Sequence, residues 1–95
     1  MNLGKAIKEL RKKRNCNQMT FAKQIGVSQG YLSQIEKGTK KPSVDLLESM
    51  SEKLDIPLPM MFWFSISEND VVPEKVKIYR ILKPVVDNLI YSFFN

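Results

Sequence analysis

Gln29 and Gln34 stand five residues apart, with Gly30 and Ser33 between them, in the run Gly26-Val27-Ser28-Gln29-Gly30-Tyr31-Leu32-Ser33-Gln34-Ile35-Glu36. A carboxamide presents a donor and an acceptor side by side, the pairing that bonds adenine at N6 and N7. On a helix over about 29–37, Leu32 and Ile35 face inward. Gln29, Gly30, Ser33 and Gln34 lie on the other side, with Tyr31 and Lys37 at its margins. Those four are the candidate base-reading residues. Gly30 leaves room for close approach of backbone to DNA, or for a thymine methyl.

Other chemistry is missing from the residue inventory. The chain has no His and a single Cys, Cys16. No zinc site of the usual ligand set forms within one chain, no intramolecular disulfide is possible, and the commonest general base is absent. No constellation supports an enzyme, a metal or a cofactor, and nothing marks a small-molecule pocket.

The 95 residues suffice for one compact domain whose modest stability dimerisation would raise. The reading helix needs a frame. Leu3, Ile7 and Leu10 recur at i, i+4 and i+7 and predict an amphipathic first helix over about 2–14. Asn17 can cap a second helix, about 18–25, with Phe21, Ala22 and Ile25 inward. Gly26 supplies a left-handed turn, Val27 plugs the core, and Ser28 caps the third helix, which Gly38 ends. Two short helices across so tight a turn form a helix-turn-helix, whose second helix fits the DNA major groove. Ser43 caps a fourth helix, about 44–54, with Val44, Leu47, Met50 and Leu54 on one stripe.

Charge agrees with a polyanionic partner. Residues 1–41 hold ten Lys/Arg against two acids, a net of +8; residues 42–95 are net −3. Asn17 and Gln18, at the start of the second helix, and Lys40 and Lys41, after the third, can grip phosphates on either side of the readout. Ser28, Tyr31 and Lys37 complete the expected backbone contacts. No apolar run is long enough to span a bilayer, and Lys5, Lys8 and Arg11 interrupt any signal-like segment, so a cytoplasmic protein without a membrane partner is expected.

The tail differs. A short fifth helix, about 59–66, carries Met60, Met61, Phe62, Trp63 and Phe64, and Ser67-Glu68-Asn69-Asp70 is a linker. Pro73 opens a last helix, about 73–93, which Pro84 should kink or split. Its apolar residues cover most faces and must be buried in the domain, in a partner, or in both.

Gln18-Met-Thr-Phe-Ala22, Gly26-Val-Ser28, Tyr31-Leu-Ser-Gln-Ile-Glu36-Lys-Gly38, Pro42-Ser43 and Leu54-Asp-Ile56 resemble the phage repressor/Cro-type helix-turn-helix (XRE) family over roughly residues 3–57. The resemblance implies an all-α, lambda-repressor-like bundle of about five helices, here with a C-terminal helical extension. It implies sequence-specific, usually dimeric binding of double-stranded DNA. Gln29 and Gln34 match base-reading positions, Gln18 matches a position whose amide grips phosphate, and Glu36 matches an acid that pairs with an arginine on helix one, here Arg11. Gly30 departs from the usual polar or small side chain.

The expected organisation is a DNA-binding domain over 1–57 and an apolar extension over 58–95. The extension serves dimerisation or partner binding through Phe62, Trp63, Phe64, Leu82, Val86, Leu89 and Phe93. The expected function is a transcriptional regulator, a repressor binding an inverted repeat as a homodimer. The rivals are a DNA-binding antitoxin whose tail grips a toxin, and an interaction adapter that has lost DNA binding; the retained Gln29, Gln34 and basic residues argue against the adapter.

Overall fold

The computed structural model describes residues 1–94; Asn95 and the side chain of Phe93, one of the expected dimer-face residues, lie outside the described residues. Among the described residues six α-helices follow one another: α1 (Leu3–Lys13), α2 (Gln18–Ile25), α3 (Gln29–Lys37), α4 (Val44–Leu54), α5 (Leu58–Ser65) and α6 (Val76–Tyr91). Short 3-10 turns occupy Glu68–Asp70, Pro73–Lys75 and Ser92–Phe94. Among the described residues there is no strand.

The helix starts are set by local chemistry. The side-chain oxygens of Asn17, Ser28 and Ser43 accept the backbone N–H three residues on, at 2.8, 3.0 and 3.1 Å. Each satisfies an amide that a helix start otherwise leaves open. Gly26 ends α2 at φ +76°, a left-handed conformation that admits glycine without strain.

The apolar stripes of α1–α4 converge on one core. Ile7, Leu10, Phe21, Leu32, Ile35, Met50 and Leu54 are each at most 2% exposed. Gly4 lets α1 cross α3 closely: a Cβ there would sit 2.3 Å from the Ile35 carbonyl oxygen and 2.9 Å from that of Glu36. Val44 departs from the expected inward stripe and is 63% exposed. It is the first helical residue of α4, and Leu47, Met50 and Leu54 carry the burial from the next turn on.

The start of the tail belongs to the same body. α5 packs on α1, with Met61 fully buried and Phe62, Trp63 and Phe64 half-buried against the core. α6 then closes over α5. Trp63 Nε1 donates to Asp87 at 2.8 Å, the Tyr79 hydroxyl donates to the Ile66 carbonyl at 3.1 Å, and Tyr91 stacks on Phe64. Lys83 pairs with Asp87 across one helical turn at 2.9 Å, and that bond holds its ammonium above the usual lysine range. Glu68 accepts both Nε and a terminal nitrogen of Arg80, which keeps its carboxyl below the usual glutamate range.

Two expectations for the last helix need correction. Pro73 opens a 3-10 turn, so the α-helix begins at Val76. Pro84 does not split it, for α6 runs unbroken to Tyr91. The Pro84 ring removes one bond to the Arg80 carbonyl. Both residues are exposed, so that carbonyl can be hydrated.

Candidate nucleic-acid interface

The site is built on an ion pair that joins α1 to α3. Arg11 Nε donates to Glu36 Oε2 at 2.8 Å, and a terminal guanidinium nitrogen donates to Oε1 at 3.0 Å. Both side chains are buried, at 8% and 3% exposure. The third arm of the guanidinium reaches the Cys16 carbonyl at 2.8 Å, which fixes the α1–α2 loop. This fork-on-fork geometry lets two charges share the interior, because most of their donors and acceptors are satisfied.

The pair reaches the surface through two carboxamides. Gln18, the first residue of α2, donates from Nε2 to Glu36 Oε1 at 3.1 Å. Its own Oε1 accepts from Gln29 Nε2, a longer contact of 3.4 Å. A line of hydrogen bonds thus runs Arg11–Glu36–Gln18–Gln29, from the core to the first residue of α3. The resemblance pointed to Arg11 with Glu36; the links onward through Gln18 join residues that sequence reasoning treated separately. One Nε2 hydrogen of Gln29 is directed to Gln18. The second hydrogen and the carbonyl oxygen remain, which is the donor–acceptor pair that adenine requires.

The rest of the outer face is open. Gln29, Gly30 and Gln34 are exposed and Ser33 is half-buried. A Cβ built on Gly30 would meet nothing within 4 Å, so the glycine leaves a gap on the face. Tyr31 is half-buried against the core at the margin of this face. The Asn17 carboxamide oxygen and the Ser28 hydroxyl are engaged in capping α2 and α3.

Beyond α3 the basic loop is tied down. The Gln34 carbonyl accepts the Thr39 amide at 2.9 Å, the Thr39 hydroxyl at 3.0 Å and the Lys40 amide at 3.3 Å. Lys37, Lys40 and Lys41 are exposed beside the end of the helix. Thr39 did not stand out in the sequence. Its position directly after the glycine that ends α3 is the available signal, since amides there can bond the last carbonyls of a helix.

Arg14 is employed elsewhere. Its guanidinium donates to the carbonyls of Leu54 and Asp55, at 2.7 and 3.0 Å, and so caps the C-terminal end of α4. It also lies 4.1 Å from the centre of the Phe94 ring.

A capped, amide-bearing helix held across a glycine turn from a second helix, with lysines at its far end, forms a helix-turn-helix. Residues 7–60 match the helix-turn-helix family, and the chain belongs to that family of DNA-binding transcriptional regulators. It is 34% identical over 85 residues to antitoxin PezA of Streptococcus pneumoniae serotype 4, covering 90% of this chain and 45% of PezA. It is 36% identical over 56 residues to the immunity repressor protein of Bacillus phage phi105, covering 59% of this chain and 39% of that protein. The chain therefore spans less than half the length of these curated relatives. Its fold is similar to the crystal structure of the clp gene regulator ClgR from Corynebacterium glutamicum, with a TM-score of 0.66 and 22% identity over 99% of this chain and 93% of that one. The family is a DNA-binding one and not a family of enzymes. No described helix is long and apolar enough to cross a membrane.

Proposed function

We propose that this chain is a repressor that binds a short inverted-repeat site on double-stranded DNA as a homodimer, with α3 in the major groove. The observation that carries the reading is the open Gln29–Gln34 face of α3, anchored from behind by Gln18, Glu36 and Arg11. Gln29 and Gln34 read bases through their carboxamides, Ser33 lies beside them, and the gap at Gly30 admits a methyl group or the DNA backbone. Asn17, Gln18, Ser28 and Tyr31 face one phosphate strand, and Lys37, Lys40 and Lys41 face the other, setting register without reading sequence. Residues 1–57 form the DNA-binding domain. Residues 58–95 supply the dimer contacts, and two copies set their α3 helices about 34 Å apart, one turn of DNA. Dimerisation is favoured by the apolar residues that α6 leaves uncovered, Leu82 and Leu89 among them.

The test is base-resolved. Gln29→Ala and Gln34→Ala should each lose about 1–3 kcal/mol of discrimination at one position per half-site. Neither should change thermal unfolding, since both side chains are exposed. Uniform weakening against every sequence would mean that α3 does not read bases.

One observation favours a second reading. The match to PezA covers 90% of this chain and so extends past the helix-turn-helix into the apolar tail. In that reading the chain is a DNA-binding antitoxin whose tail grips a toxin. A co-purifying small protein, or an adjacent small reading frame, would select it.

A further inference from the structure

α1 and the residue after it end on two consecutive cations, and each lies over an aromatic ring from the tail. The Lys13 ammonium is 4.6 Å from the centre of the Tyr91 ring, and the Arg14 guanidinium carbon is 4.1 Å from the centre of the Phe94 ring. A cation within about 6 Å of a ring centre is drawn to its negative face. The rings are held in turn: Tyr91 stacks on Phe64 of α5 at 5.4 Å and meets Phe94 at 6.5 Å. The last residue of α6 and the 3-10 turn after it thus form an aromatic seat for the end of α1.

The segment that follows this seat is short. Asn15, Cys16 and Asn17 alone separate Arg14 from Gln18 at the start of α2. Asn15 turns at φ +55°, a left-handed conformation that asparagine tolerates better than most residues but that its surroundings must hold. Arg11 donates to the Cys16 carbonyl, Arg14 donates to the carbonyls of Leu54 and Asp55, and the Phe94 ring covers the Arg14 guanidinium. On the other side of the loop Asn17 caps α2, and Gln18 bonds Glu36 and Gln29. A shift of Arg14 has three residues in which to be absorbed before it reaches Gln18.

We propose that Tyr91 and Phe94 are positioning residues for DNA binding. By seating Lys13 and Arg14 they fix where α2 begins, and with it the Asn17 and Gln18 groups that meet phosphate. This rests on the reading of Asn17 and Gln18 as backbone contacts and extends it: the register of a helix within residues 1–57 is set from residues 58–95. Both rings are half-buried at the edge of the core. Leucine in their place keeps apolar packing and removes the ring face on which the cations sit.

The experiment uses the one cysteine of the chain, which sits in the loop itself and is half-buried. The rate at which an aromatic disulfide reagent labels Cys16 in the folded, full-length protein reports how often the loop opens. Tyr91→Leu and Phe94→Leu, made separately so that one remains should the other fold poorly, should each raise that rate. Each should also lower affinity for duplex DNA, by about two- to fivefold, the change that one exposed cation–ring contact is worth. The fall should be equal on a selected duplex and on its scrambled counterpart, since phosphate contacts carry no sequence. Tyr91→Phe and Phe94→Tyr keep the ring faces and should return both readouts to the parent values. A lower urea midpoint with unchanged labelling and unchanged affinity would reduce the rings to packing and overturn the proposal, as would a loss confined to the selected duplex. Gln18→Ala in the same titration separates the proposal from the reading beneath it. Parental affinity for Gln18→Ala removes the phosphate reading, and weak binding by Gln18→Ala beside normal binding by both leucine variants removes the positioning role alone.

Discussion

Glu36→Ala should unfold the domain before it alters what the domain reads. The substitution removes both acceptors of a bidentate pair and leaves the Arg11 guanidinium, 8% exposed, with the Cys16 carbonyl as its remaining acceptor. Breaking a buried pair from one side costs about 3–5 kcal/mol. The whole stability of a domain of this size is on the order of 5–15 kcal/mol, so the loss is a large share of it. At ~4–8 °C per kcal/mol, the midpoint should fall by roughly 12–40 °C. Thermal unfolding followed by circular dichroism measures it, and urea unfolding followed by Trp63 fluorescence measures the loss in free energy directly. The paired replacement Arg11→Met with Glu36→Leu separates the two roles. An apolar pair of similar volume should restore stability to within about 1–2 kcal/mol of the parent. It cannot restore the acceptor that positions Gln18, so DNA affinity should stay reduced. An unchanged urea midpoint for Glu36→Ala would refute the reasoning.

Three further outcomes are expected. Gly4→Ala forces a methyl group onto the backbone carbonyls of α3 and should cost about 1–3 kcal/mol in the same assay; a neutral effect would mean that α1 and α3 do not cross so closely. Arg14→Ala uncaps α4 and should cost about 1 kcal/mol while leaving DNA discrimination intact, which duplex titration would check. The Glu68 carboxyl, held low by its hydrogen bonds from Arg80, should titrate by NMR below the ordinary value of about 4.3, and Arg80→Gln should return it there. Because its folded pKa is depressed, any stabilisation from the pair is present at neutral pH and is lost as pH falls through the acid range.

What could be read from the sequence was local. Asn17, Ser28, Ser43 and Gly26 act on neighbours within five residues, and the caps and turn lie where their types placed them. The frame of the reading helix was legible for that reason. The Arg11–Glu36 pair spans 25 positions and was reached by resemblance, because no local periodicity links residues on different helices. The bonds from Gln18 to Glu36 and Gln29 follow from how α2 crosses α3, so they became visible once the helices were placed. The need for glycine at position 4 is likewise a property of a helix crossing. Val44 misled because an apolar type at the right spacing does not guarantee burial at the first position of a helix. Of the kink or split expected at Pro84, the split does not occur, because the cost of a helical proline depends on which side of the helix it faces.

The central claim is that α3 reads base sequence as part of a two-fold pair. Selecting bound duplexes from a random pool tests it most directly, followed by a salt titration of the enriched duplex against a scrambled one. The account predicts an inverted repeat with half-sites about one helical turn apart, bound roughly a thousandfold or more above scrambled DNA. Weak binding of every sequence, vanishing as salt rises, would contradict it and leave the basic surface with electrostatic attraction alone.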